Sequence, residues 1–171
     1  RGAGITYKTG RRDKKEFCLW NLDNGQIMER HEFEAGENHK LAGWNIKGEQ
    51  VLIAMESEAN MIYQVRHLPS MKVVSTLKFP KGVMYVVGWS PDGSRLAVTE
   101  GQKDGDTVYQ AKIQIWNLPD SRLLRTIEPG FDSGVHKITW SPDSARIAVV
   151  PNAGNLIKVW ELSSGVMLYK K

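Results

Sequence analysis

The chain has a single cysteine, Cys18, so no disulfide can form within it and no cysteine-built metal cluster is possible. That favours a reducing compartment, and a cytoplasmic location is the expectation. Nowhere does an apolar run approach the roughly 18 residues that a membrane helix needs, so no membrane partner is expected. The first residues, Arg1-Gly2-Ala3-Gly4-Ile5-Thr6, carry no signal-peptide core, although a mature form could have lost one. The four histidines His31, His39, His67 and His136 lack metal-ligand spacing. Lys103-Asp104-Gly105-Asp106-Thr107 lacks the further carboxylates and distal Glu of a calcium loop. Neither a metal nor a cofactor is therefore expected. There is no Gly-x-Ser-x-Gly elbow, no phosphate loop and no zinc-protease helix, so catalysis by this chain is not expected. No stretch sustains a 3.6-residue apolar period, and no helix is anticipated. Charge of one sign is also missing. The net +4 comes from 23 basic and 19 acidic residues that are interspersed. This permits an acidic or nucleic-acid partner without requiring one.

What is present is a repeat. The 171 residues are 41% hydrophobic and 25% charged, enough for one domain with a real core. Gly88-Trp89-Ser90-Pro91-Asp92-Gly93-Ser94-Arg95-Leu96-Ala97-Val98 reads as strand, tight turn, strand. Pro presets φ, Asp bonds back to the backbone and Gly accepts positive φ. Lys112-Ile113-Gln114-Ile115-Trp116-Asn117-Leu118 then alternates Ile113 and Ile115 against Lys112, Gln114 and Trp116. The first unit recurs around Trp44 and Trp140, the second around Leu22, Leu68 and Leu162. Leu68-Pro69-Ser70-Met71-Lys72-Val73-Val74-Ser75-Thr76-Leu77 matches Leu118-Pro119-Asp120-Ser121-Arg122-Leu123-Leu124-Arg125-Thr126-Ile127 without a gap. Periods of about 45 to 51 residues with four short strands each are the signature of propeller blades.

Trp-Ser-Pro-Asp-Gly, then Leu-Ala-Val, then Ile-x-Ile-Trp-Asn-Leu, resembles the WD-repeat family of β-propellers over nearly the whole chain. The family's Trp-Asp pair stands here as Trp20-Asn21, Trp116-Asn117 and Trp160-Glu161, and as Arg66-His67 in the second repeat. Gly130-Phe131 occupies the place of the family's Gly-His before the Trp140 repeat. The resemblance implies an all-β propeller of four-stranded antiparallel blades. About three and three-quarter blades would be present, as part of a larger ring. Residues 1–34 form a first partial blade, 35–80 a second, 81–129 a third and 130–171 a fourth, within a single domain. Labelled a to d outward from the axis, strands are expected at 4–9, 16–22 and 26–33, then 39–46, 50–56, 61–67 and 72–79. The third blade takes 83–90, 94–100, 111–118 and 122–127, and the fourth 135–141, 145–150, 156–162 and 166–170. Nothing precedes Gly4 that could serve as strand a of the first blade. The expectation follows that the chain does not close a ring alone, and that absent sequence of the same protein or a second chain completes it.

The tryptophans could stack on bases or sugars, but all six fall at repeat-equivalent positions and read as blade packing. Arg11-Arg12-Asp13-Lys14-Lys15 is the densest basic cluster and could contact phosphates, although most short basic runs are solvated turns. Family members bind partners on the face where the d-to-a and b-to-c loops open. Here those loops include Gly10–Lys15, Gly101–Gln110, Glu34–Asn38 and Glu128–Gly134. The candidate partner contacts are Arg11, Arg12, Lys14, Lys15, Glu37, Asn38, Lys81, Val83, Lys103, Asp104, Asp106, Tyr109 and Asp132. The leading functional expectation is a non-catalytic protein-interaction scaffold. The alternatives are a nucleic-acid-associated propeller of a translation or RNA-processing assembly, and the non-catalytic propeller portion of a larger enzyme.

Overall fold

The computed structural model describes residues 2–7, 15–33, 38–45, 47–80, 87–104 and 107–171. They form strands and turns only. The strands are β1 (Gly2–Tyr7), β2 (Lys15–Trp20), β3 (Ile27–Glu32), β4 (Asn38–Trp44), β5 (Gln50–Glu56), β6 (Asn60–His67) and β7 (Lys72–Pro80) in the first half. The second half holds β8 (Val87–Trp89), β9 (Arg95–Asp104), β10 (Thr107–Asn117), β11 (Arg122–Ile127), β12 (Val135–Trp140), β13 (Arg146–Pro151), β14 (Lys158–Glu161) and β15 (Met167–Lys170). They pair in chain order as antiparallel meanders: β1–β3, β4–β7, β8–β11 and β12–β15. Among the described residues the first sheet has three strands and the others four, the antiparallel meanders expected of propeller blades. Two compact units result, residues 1–81 and 82–171, each holding two sheets.

One expected loop is not a loop. The sequence predicts a long polar connection over Gly101–Gln110, but β9 runs on to Asp104 and β10 begins at Thr107, with Lys103 opposite Val108 and Gln102 opposite Tyr109. The β-branched and aromatic run Thr107-Val108-Tyr109 favours extended backbone. A register shift between Tyr109 and Lys112 marks an irregularity in this extension.

The turns that join first and second strands repeat one device. In the third sheet, Ser90 Oγ accepts from Arg95 N (2.9 Å) and donates to Asp92 Oδ1 (2.6 Å), which also accepts from Ser94 N (3.0 Å). Gly93 takes φ +77°, where a side chain would be strained. Burial works to raise the Asp92 carboxyl, but the hydrogen bonds from Ser90, Ser94 and Arg95 outweigh it and bring it down to about 2. The fourth sheet repeats the device with Ser141 and Asp143. There Ser144 occupies the positive-φ position, at +58°. The second sheet uses Asn45 instead, whose Oδ1 accepts from Glu49 N and Gln50 N (2.9 and 3.1 Å).

Within the second unit, Ala97, Ile113, Ile115 and Ile127 of the third sheet share one core with Ile138, Trp140, Ile147, Val149 and Trp160 of the fourth. Trp140 Nε1 donates to Gly88 O (2.9 Å). A Cβ on Gly88 would lie 3.3 Å from that nitrogen, so a larger residue there would push the Trp140 ring back by a few tenths of an ångström. Asp92 N donates to Ser144 Oγ (3.1 Å), and Arg125 donates to the carbonyls of Ser163 and Ser164 (3.0 and 3.4 Å). The sheets are thus joined along their inner turn and their outer strand. Trp140 and Trp160 are buried, whereas Trp20, Trp44, Trp89 and Trp116 are half-buried. Trp116 lies on the face of β10 opposite Ile113 and Ile115, and its Nε1 donates to Gln114 Oε1 (3.0 Å).

Within the first unit, Phe17 and Leu19 pack with Val51, Ile53, Met55, Leu68 and Met71. Phe33 is the hub of a polar-aromatic joint. His39 stacks on it at 4.0 Å, His31 meets it edge-on at 5.4 Å and the Arg66 guanidinium lies 5.5 Å from its centre. Arg66 Nη1 is 3.3 Å from His31 Nε2. Burial and the Arg66 charge both lower the His31 pKa from its ordinary 6.5.

Candidate partner-binding face

In each four-stranded meander the first-to-second and third-to-fourth connections leave one end of the sheet. The second-to-third connection, and the link to the next sheet, leave the other. In the fourth sheet the first kind are short hydrogen-bonded turns at Ser141–Arg146 and Glu161–Val166. The second kind are longer, residues 128–134 and 152–157, and they are built into one structure. Asn152 N donates to Gly134 O (2.7 Å) and Ala153 N to Ser133 Oγ (3.1 Å). From below, Lys158 of β14 donates to Pro129 O (2.5 Å) and Gly130 O (3.2 Å) and sits 4.6 Å from the centre of the Phe131 ring. Lys158 is only 7% exposed. An ammonium can be held there because two carbonyls and an aromatic face replace its water.

Between these loops lies a cavity of about 460 Å³, lined by Phe131, Asp132, Ser133, Pro151, Gly154 and Leu156 among others. Its walls are chiefly apolar, with Asp132 exposed at the rim. Of the sequence-predicted contacts, only Asp132 lines this cavity. Asn38 begins β4 opposite Glu56, and Lys15 begins β2 opposite Tyr7. Lys103, Asp104 and Tyr109 stand on paired strands. Arg11, Arg12, Lys14, Glu37, Lys81, Val83 and Asp106 lie outside the described residues. Sequence reasoning missed Lys158 and Phe131. The available signal was a lysine on the Trp160 side of Lys158-Val159-Trp160, where the neighbouring repeat has Gln114. Among the described residues, no group of three His, Cys, Asp or Glu is placed to hold a metal ion.

The sequence matches no protein-family model and no curated protein. Among solved structures it is similar to the Dos1 propeller, with 12% identity and a TM-score of 0.66 over 92% of this chain. The chain spans 39% of that propeller's length. Identity at this level speaks for architecture alone, and it agrees with the antiparallel four-stranded sheets: the fold is that of a β-propeller, present here in part.

Proposed function

We propose that this chain is a non-catalytic scaffold on which another protein docks, through the ends of the sheets that carry the second-to-third and sheet-to-sheet connections. The WD-repeat reading, carried by Trp89-Ser90-Pro91-Asp92 and Trp140-Ser141-Pro142-Asp143, belongs to the same proposal. One observation supports it above the others. The loop at 128–134 is locked to the loop at 152–157 and to Lys158, a fixed structure beyond what linking the strands requires. Loop structure beyond what a turn requires is a mark of function, and a preorganised surface loses less entropy on binding.

The test is site-specific photo-crosslinking in the cells that make the protein. A photoreactive residue replaces Asp132 or Asn155 on the proposed face, or Ala145 or Ser164 at the opposite end of the fourth sheet. The expected result is a discrete protein adduct from the first two positions and none from the others. Adducts confined to Ala145 and Ser164, or adducts to nucleic acid, would overturn the reading.

A further inference from the structure

Resting on the scaffold reading and sharpening it, we propose that the cavity beside Phe131 seats a short extended segment of the partner, an apolar side chain followed by Lys or Arg. Three observations carry this. First, about 460 Å³ falls in the range of ligand-sized pockets and exceeds what a packing defect leaves. The enclosing loops are held by hydrogen bonds at 2.7 and 3.1 Å, so the space exists before any partner arrives. Second, the lining is mainly apolar, from Phe131, Pro151 and Leu156, which suits an aliphatic or aromatic side chain. Gly154 has φ +90°, with nothing within 4 Å of where a Cβ would stand. The incoming backbone can therefore pass close to the chain there. Third, the exposed charge at the rim is an anion. Asp132 has no hydrogen-bond or ion-pair partner among the described residues. The Lys158 ammonium is turned inward, onto the Pro129 and Gly130 carbonyls and the Phe131 ring. A cation next to the buried side chain complements that rim.

The probes are three capped dipeptides, acetyl-Leu-Arg-amide, acetyl-Leu-Glu-amide and acetyl-Gly-Arg-amide. Each is titrated into ¹⁵N-labelled protein while backbone amide shifts are followed. The expected result is that Leu-Arg shifts the amides of residues 131–133 and 153–156, with millimolar affinity. Leu-Glu should bind about two- to fivefold more weakly, the range of an exposed ion pair. Gly-Arg should produce no saturable shift. In Asp132→Lys the order of Leu-Arg and Leu-Glu should reverse, while amides remote from the loop keep their positions and so report an intact fold. Absence of saturable shifts, equal response to all three probes, or an unchanged order in Asp132→Lys would overturn the proposal. Loss of this site with crosslinks still at Asp132 and Asn155 would leave the scaffold reading standing. Loss of those crosslinks would remove the reading itself.

Discussion

Ser144 shows how one residue can serve two demands that conflict. Its equivalents Gly48 and Gly93 are glycines at φ +67° and +77°, and a serine at +58° is conformationally disfavoured. The compensation is the hydrogen bond that its hydroxyl accepts from Asp92 N, across to the neighbouring sheet. Ser144→Ala should keep the backbone strain and lose the bond, destabilising by about 1 kcal/mol. Ser144→Gly should come out near neutral, because relief of strain offsets the loss. Urea unfolding of the two variants checks the difference. His31 makes a pH prediction. Its folded pKa is lowered by burial first and by Arg66 second, so the unfolded chain binds the proton more readily. Its contribution is complete above the unfolded value of about 6.5 and is lost as pH falls through the lower folded value. His31→Gln should flatten the pH dependence of stability over that acidic window, while above it variant and parent profiles run parallel. An unchanged pH profile in that variant would count against the joint around Phe33.

At the scale of strands and loops, burial follows repeat position until a face loses its neighbour. Ile113 and Ile115 of β10 are at most 1% exposed, packed on the fourth sheet, while Ile157, the equivalent of Ile113, is 43% exposed. Val159, Ala148 and Val150 on the same face are half-buried. Ile115→Ala should therefore cost about 2–5 kcal/mol, and Val159→Ala less than about 1 kcal/mol, measured by the same unfolding assay. Equal costs would mean that the two faces are covered alike. The Lys158 staple predicts a second, local effect. Lys158→Met leaves the Pro129 and Gly130 carbonyls without their donor, so amides of residues 130–134 should exchange faster while those of β13 hold. Much of this scale was legible beforehand. Trp-Ser-Pro-Asp announces a strand and its turn by local chemistry, and Ile-x-Ile-Trp announces a half-buried strand by period. The hairpin through Lys103 and Val108 was not, because Gly101-Gln102-Lys103-Asp104 carries no apolar alternation. The burial of Lys158 was not either, since it depends on carbonyls nearly thirty residues away in sequence.

For the molecule as a whole, repetition explains both the fold and the expected mode of action. Each sheet buries an apolar face against its neighbour in the same unit, and the polar chemistry is left to the sheet ends. Of the loops expected from the sequence, 128–134 is a loop in the described residues, at the end of the fourth sheet opposite its stereotyped turn Pro142-Asp143-Ser144. The sequence could not show the cavity, which exists only where the loop at Phe131 meets the loop at Gly154. The account's central claim is that a protein partner docks on those loop ends. Hydrogen exchange of the chain, alone and with the partner captured by crosslinking at Asn155, tests it most directly. The account predicts new protection at residues 128–134 and 152–157, with the turns at 91–94, 141–145 and 163–166 unchanged. Protection confined to those turns, with the loops exchanging as in the free chain, would contradict it.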